Sequence, residues 1–250
     1  LIGGRIALME ARLTRRSLLA AGTTLLLVPS ALAQEEEEQT ATPPAAPAPA
    51  APDSPGANFD TGYRPSPSVS ARVQREFLNQ LRWSSGAEVR DNLAAAFRER
   101  SPTDIWLELV EKDGLKANNV ADALTAYWVL NWITANGFYT AKVNNAPIQR
   151  QLRSAFYADR NFRTLSDMKK QELAEGYILN FLLEHAALNN AVEARDVPTL
   201  NRLAAASVLR FQKDMGVNLL LLEPSEEGFR ARRLGPVPQP EQQPAPEAGD

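Results

Sequence analysis

Residues 176–188, GYILNFLLEHAAL, carry apolar side chains almost all the way round a helix. A helix that is apolar on every side is normally packed by neighbours in several directions. Elsewhere apolar residues recur every three or four positions, as Val69, Val73, Phe77 and Leu81 do, which is typical of amphipathic helices. The sequence therefore predicts an all-α fold in which amphipathic helices surround one central helix.

Residues 68–230 are predicted to form a single helical-bundle domain, which helix start and stop signals divide into about six to seven helices. Ser101-Pro102-Thr103-Asp104 has the residues of a helix start, with serine as the cap and proline in the first turn. Asn118 or Asn119 and Ser166 begin two further helices, and Gly137 and Gly216 end two. The short apolar run at 217–223 is ambiguous, because no segment that would pair with it is evident.

The first 33 residues have the three parts of a secretory signal. Arg15 and Arg16 precede an apolar stretch at 17–28, and Ala31-Leu32-Ala33 forms a cleavage box. The paired arginines match a twin-arginine motif but also occur in ordinary signals, so both export routes stay open. The apolar stretch is shorter than the ~20 residues of a membrane span. We expect a periplasmic or secreted protein, cleaved near Ala33, with no transmembrane span in its mature chain.

Proline and alanine dominate the segments on either side of the predicted domain. Residues 34–67 are acidic and then Ala/Pro-rich, and residues 231–250 form a second Pro-rich segment. Both contain too few large apolar groups to offset the entropy of ordering, so we expect a disordered linker and a disordered tail. The linker is either a spacer or a solvated leader.

Composition excludes several classes of function. The chain has 27 basic and 30 acidic residues, a net charge of −3, and it becomes more negative without residues 1–33. This balance argues against nucleic acid as a partner. Cysteine is absent, which excludes disulfides and a lipid-modified cysteine. With one histidine the chain does not offer an evident zinc site, and we predict no metal and no cofactor.

Three polar residues interrupt the apolar helices and form the candidate site. Asn180 and Glu184 are four residues apart and share a helix face, and Asn131 lies in line with buried positions of its own helix. Such groups need partners, water or an opening to solvent. One hypothesis is a pocket in which Glu184 binds a ligand or acts as acid or base, with aromatic walls from Trp128, Trp132 and Tyr177. The other is a set of satisfied hydrogen bonds that fix helix register.

Catalytic templates give little support to an enzyme. Ser166 and Lys169 match the SxxK pattern of penicillin-binding enzymes, but the accompanying KTG element is missing and serine is a common helix cap. GxSxG and HExxH are also missing. Glu184 remains the one weak catalytic candidate. Of the four tryptophans, Trp83 is predicted to be the most exposed.

Three helical segments resemble an exported proteobacterial family known as domain of unknown function 6683. They are NNVADALTAYWVLNWITANG at 118–137, KQELAEGYILNFLLEHAAL at 170–188 and LAAASVLRFQKDMGVNLLLLEPSEEGF at 203–229. Tyr63-Arg64-Pro65-Ser66-Pro67 fits the opening of that domain, and the resemblance covers roughly 63–230. It implies a signal peptide, a proline-rich leader and one helical domain. It implies no activity and no functional residue.

Two functions remain open at this point. The first is a non-enzymatic module that binds an envelope protein or a small apolar ligand. The second is a cell-envelope hydrolase that uses Glu184 with Asn180 and Asn131.

Overall fold

The computed structural model describes residues 47–232, which contain eight α-helices and one two-stranded antiparallel sheet. The predicted all-α class is confirmed. The predicted signal, residues 34–46 of the predicted linker and residues 233–250 of the predicted tail lie outside the described residues. In chain order the elements are α1 Pro67–Ser85, α2 Ala87–Glu99, α3 Pro102–Val110, a 3-10 turn Glu111–Asp113, α4 Val120–Asn136, α5 Asn145–Ala158, α6 Arg160–Arg163, α7 Asp167–Glu193, α8 Val197–Met215, a 3-10 turn Leu219–Leu221, β1 Leu222–Ser225 and β2 Gly228–Ala231.

The predicted caps hold the ends of several helices. The side chains of Ser101, Asn119 and Ser166 each accept a hydrogen bond from a backbone N–H in the first turn of α3, α4 and α7. Gly137 and Gly216 end α4 and α8 in the left-handed region, with φ of 68° and 62°. Ser166 is therefore a cap, as the simpler interpretation of the SxxK match predicts.

Two helices, α4 and α7, form the centre of the domain. Every residue of α4 from Val120 to Thr134 is buried, because α5, α7 and α8 all pack against this helix. The central helix predicted at 176–188 is α7, and it is buried continuously from Ile178 to His185. Gly176 and Tyr177 are only half-buried. The more completely enclosed helix is thus α4.

Helices α1 and α2 form a hairpin that packs on α7 through α1. The inward side of α1 is formed by Val69, Phe77 and Leu81, all buried. Trp83 stands near the end of α1 with 85 % of its surface exposed, which confirms the prediction for this tryptophan. The hairpin therefore carries a large aromatic side chain on its outer side.

The ambiguous segment at 217–223 does have a pairing partner. Strand β1 pairs with β2 from Leu222 opposite Ala231 to Ser225 opposite Gly228. Phe229 of β2 is buried and stacks on Trp128 at a ring-centroid distance of 5.3 Å. Burial of this ring helps to fix the β-hairpin on the core, although each strand has only four residues.

Residues 47–66, more than half of the predicted linker at 34–67, are packed on the domain, so the expectation of disorder there is wrong. Phe59 makes edge-to-face contacts with Tyr157 and Phe162, and Thr61 is fully buried. The backbone N–H of Ala50 donates to the carbonyl of Glu227 at 2.7 Å. A few anchored residues and these hydrogen bonds are enough to order a segment that composition alone assigns to disorder.

Gln151 of α5 joins the N-terminal segment 47–66 to the β1–β2 hairpin. Its amide Nε2 donates to the carbonyl oxygens of Pro47 at 2.7 Å and Phe229 at 2.8 Å, and its Oε1 accepts from the N–H of Phe229 at 2.8 Å. The Gln151 side chain is fully buried, so its hydrogen bonds are shielded from water. We call this arrangement the Gln151 clamp.

Within residues 47–232, none of the helices has the length and hydropathy needed to cross a membrane. This agrees with the prediction for the mature chain over that range.

Candidate functional site

Glu184 of α7 forms a buried ion pair with Arg210 of α8. The Glu184 Oε1 atom accepts a charge-assisted hydrogen bond from Arg210 Nη1. Only 7 % and 9 % of the two side chains are exposed. Because water is largely excluded, each charge depends on the other for compensation.

Two residues of α4 complete the network around Arg210. The Nη1 atom also donates to Asn131 Oδ1 at 2.9 Å and to the hydroxyl of Tyr127 at 3.0 Å. That hydroxyl lies 3.4 Å from Glu184 Oε1, to which it donates. Asn131 in turn uses its Nδ2 to donate to the Tyr127 carbonyl at 2.8 Å. The network therefore links the three helices α4, α7 and α8 through one guanidinium.

Burial dominates the electrostatics of the network. It raises the pKa of the Glu184 carboxyl, and the charge of Arg210 together with hydrogen bonds from Asn131 and Tyr127 opposes that increase. Burial likewise raises the pKa of the Tyr127 hydroxyl, with a contribution from the Glu184 charge. Burial acts to lower the pKa of Arg210, but the charges of Glu184, Tyr127 and Asp214 together with the hydrogen bond to Tyr127 raise the pKa overall, so the guanidinium keeps its proton.

The structure brings together only part of the predicted site. Asn131 and Glu184 meet through Arg210, whereas Asn180 donates to the carbonyl of Gly176 at 2.9 Å within its own helix. Tyr177 stacks on Tyr127 at a ring-centroid distance of 5.8 Å and borders the network.

Trp128 and Trp132 belong to a different group of side chains. Both rings contact Phe229, and Trp132 Nε1 donates to the Leu222 carbonyl at 3.0 Å. These two tryptophans hold the β1–β2 hairpin in place.

Arg210 and Tyr127 are the members of the network that sequence reasoning missed. A signal for Arg210 exists, because Leu203, Ser207, Arg210 and Phe211 share one helix face. A face with a buried phenylalanine places that arginine inside the domain. For Tyr127 the signal is weaker, since it looks like an ordinary core aromatic.

The geometry favours the hypothesis of satisfied hydrogen bonds over that of a reactive carboxylate. Glu184 Oε1 accepts from both Arg210 and Tyr127, and only 7 % of the side chain is exposed, so little of the carboxylate is available to a substrate. His185 does not assist, because its ring stacks on Phe181 at 5.4 Å and burial lowers its pKa to about 4. Over the described range 47–232, His, Asp and Glu form no group of three or more that could hold a metal ion.

Comparison with known proteins places the chain in a family without giving it an activity. The model of a family of unknown function, DUF6683, matches residues 19–204, and the chain belongs to that family. None of the curated proteins matches the chain. A search of the solved structures also finds no match.

Proposed function

We propose that this member of the family is a non-enzymatic binding module that holds a protein partner on an apolar patch. The patch consists of Phe138, Leu220 and Leu221, which have exposures of 45 %, 42 % and 48 %. Phe138 follows the end of α4, against which the 3-10 turn Leu219–Leu221 packs, and half-exposed large apolar side chains on neighbouring elements are typical of interaction surfaces. This patch is the observation that carries the proposal.

The patch rests on a rigid base. The Phe138 ring packs on Trp132 at a centroid distance of 5.3 Å, and Trp132 donates to the carbonyl of Leu222, the residue after Leu221. Asn136 at the end of α4 donates to the Leu219 carbonyl at 3.3 Å. Side chains on such a base lose little conformational entropy on binding, which favours affinity. Because these side chains are about half-exposed and not enclosed, a protein partner suits them better than a small apolar ligand, which prefers a concave site.

The state of Glu184 supports a module without catalytic activity. A glycosidase-type general acid has a raised pKa but also reaches its substrate. The pKa of Glu184 is raised, yet its carboxylate is held by Arg210 inside the core. The hydrolase alternative therefore rests on the pKa direction alone.

We also place the protein in the periplasm or outside the cell. The support is the sequence pattern of residues 1–33, with paired arginines, a short apolar stretch and a small-residue cleavage box. A cysteine-free helical domain that needs no disulfide is compatible with either export route.

Site-specific photo-crosslinking in expressing cells tests the binding proposal. A benzophenone amino acid at Leu221 should trap one defined envelope protein, and a second substitution, Leu220→Ser, should reduce the yield. The control position is Val197, which is 58 % exposed at the other end of α8. The same products from both positions would refute the patch.

Glu184→Gln tests the hydrolase alternative in the same preparation. If the parent chain degrades envelope polymer and this variant keeps its fold but loses that activity, the non-enzymatic proposal is wrong. We expect no turnover by the parent, and an altered melting temperature as the main effect of the substitution.

A further inference from the structure

Trp83 is an exposed indole on the outer side of the α1–α2 hairpin, and neither the buried network nor the apolar patch uses it. Its exposure of 85 % is the highest among the large apolar side chains of the described residues. The other three tryptophans are no more than 5 % exposed. Such exposure of a large aromatic ring points to a contact outside the domain.

Two arginines share the helix face of Trp83. At 100° per residue Arg75, Arg82 and Trp83 fall within about a quarter of a turn of one another, opposite the buried side of α1. Within the described part of the chain, neither arginine forms an ion pair. The Arg82 guanidinium instead lies over the Trp83 indole, 5.8 Å from the ring centroid. We call Arg75, Arg82 and Trp83 the Trp83 face.

Acidic side chains near this face are mostly compensated. Glu76 lies 3.6 Å from Arg72, and Asp91 of α2 pairs with Arg90 at 2.9 Å. Glu88, in the first turn of α2, also has an interaction partner. The Trp83 face is thus locally cationic in a chain whose net charge is −3.

We propose that the Trp83 face binds an anionic phospholipid surface. Tryptophan prefers the membrane–water interface, because its apolar ring can contact the lipid chains there while its N–H stays hydrated. Arginine extends an apolar stem toward such a surface and keeps its charge among the lipid headgroups.

The surroundings of Trp83 favour a membrane over a protein pocket. Interface tryptophans in protein complexes usually lie near the centre of the contact, inside a ring of further contact residues. After Trp83 the chain turns through Ser84, Ser85, Gly86 and Ala87, which are too small to form such a ring. A turn built from small residues lets the indole reach between headgroups without a matching cavity.

Fluorescence of the full chain, isolated in its processed form from an expressing cell, tests this proposal. Trp83 is the only one of the four tryptophans with a largely exposed ring, so it reports the contact selectively. We expect phosphatidylglycerol vesicles to shift the emission to shorter wavelength and to protect it from iodide, whereas phosphatidylcholine vesicles leave it unchanged. Added salt should weaken the effect, because it screens the arginines.

Variants divide the contributions in a vesicle-pelleting assay. Trp83→Ser should lower partitioning by about 30-fold, the factor for losing part of a buried indole. Arg82→Gln should lower it about fivefold, the factor for one basic residue near an anionic surface. Leu209→Ser is the matched control, because it removes a large apolar side chain that is 66 % exposed on α8, away from the Trp83 face, and should leave vesicle binding unchanged.

Three outcomes would overturn the proposal. The first is equal partitioning of the parent into phosphatidylglycerol and phosphatidylcholine vesicles. The second is equal vesicle binding by Trp83→Ser and the parent. The third is a parent that does not bind vesicles but forms a protein complex that Trp83→Ser loses. Since the apolar patch is not involved, failure here leaves the proposed protein partner untouched. Failure of the crosslinking experiment likewise leaves the membrane contact standing.

Discussion

Replacing Arg210 with methionine should destabilise the domain by about 4 kcal/mol, because it leaves the Glu184 charge buried without compensation. The two side chains are 9 % and 7 % exposed, so water cannot take over the role of the guanidinium. An exposed pair would cost only about 0–1 kcal/mol. Asn131 Oδ1 also loses its donor, so the effect should lie well inside the range of about 3–5 kcal/mol for broken buried pairs and not at its lower end.

The loss should depend on pH in a defined direction. Burial already raises the pKa of Glu184, and removal of the Arg210 charge removes the main influence that lowers it. A carboxyl whose folded-state pKa lies above its unfolded value binds a proton more tightly when folded. The deficit of Arg210→Met relative to the parent should therefore be small below about pH 4, where the carboxyl is protonated in both states, and grow as the pH rises through the folded pKa.

Urea unfolding followed by circular dichroism measures both effects. The double variant Arg210→Met with Glu184→Leu should recover about 2 kcal/mol or more, because an apolar pair has no charge to compensate. Arg202→Met is the matched control on the exposed side of α8 and should change stability by less than about 0.5 kcal/mol. A loss below about 1 kcal/mol for Arg210→Met, or a double variant as unstable as the sum of its parts, would refute the reasoning.

Three further perturbations have equally definite outcomes. Burial lowers the pKa of His185 to about 4. The contribution of neutral His185 to the free energy of unfolding is therefore complete above the unfolded pKa and is lost as the pH falls toward 4. His185→Leu should remove this acid-induced loss of about 3 kcal/mol, as measured by urea unfolding at several pH values. Gln151→Ala removes hydrogen bonds to Pro47 and Phe229, and should cost about 2–4 kcal/mol while speeding hydrogen exchange at the Phe229 amide; unchanged exchange there would contradict the clamp. Gly228→Ala should also lower the melting temperature, because its φ is 107° and the added Cβ would lie 2.4 Å from Gln151 Oε1; an unchanged melting temperature would show that the turn relaxes without cost.

Helix type and position follow from the sequence because local rules act at the helix ends. Ser101, Asn119 and Gly137 each satisfy backbone groups in the way their residue types favour, and the structure places helix ends there. The continuous apolar character of α4 and α7 likewise translates directly into burial. These features need only neighbouring residues, so a single sequence is enough to predict them.

Features that depend on distant contacts were harder to predict. The hairpin exists because Phe229 finds the rings of Trp128 and Trp132, about a hundred residues earlier in the chain. Residues 47–66 are ordered by Phe59 and by the clamp, which no composition argument detects.

The candidate site shows the same limit. Asn180 shares a helix face with Glu184 but bonds to its own backbone, because an asparagine inside a helix can always reach the carbonyl four residues before it. The partner of Glu184 is Arg210 of α8. A contact between residues on two different helices cannot be inferred from their spacing in the sequence.

The Gln151 clamp determines where the polypeptide enters and leaves the domain. One amide nitrogen reaches the oxygens of both Pro47 and Phe229, so the point of entry and the strand that leads to the exit are neighbours. Anything attached upstream or downstream of the described residues is therefore tethered at a single corner. A fusion partner or affinity handle added at either end of the chain would therefore be attached to the same side of the domain, next to Gln151.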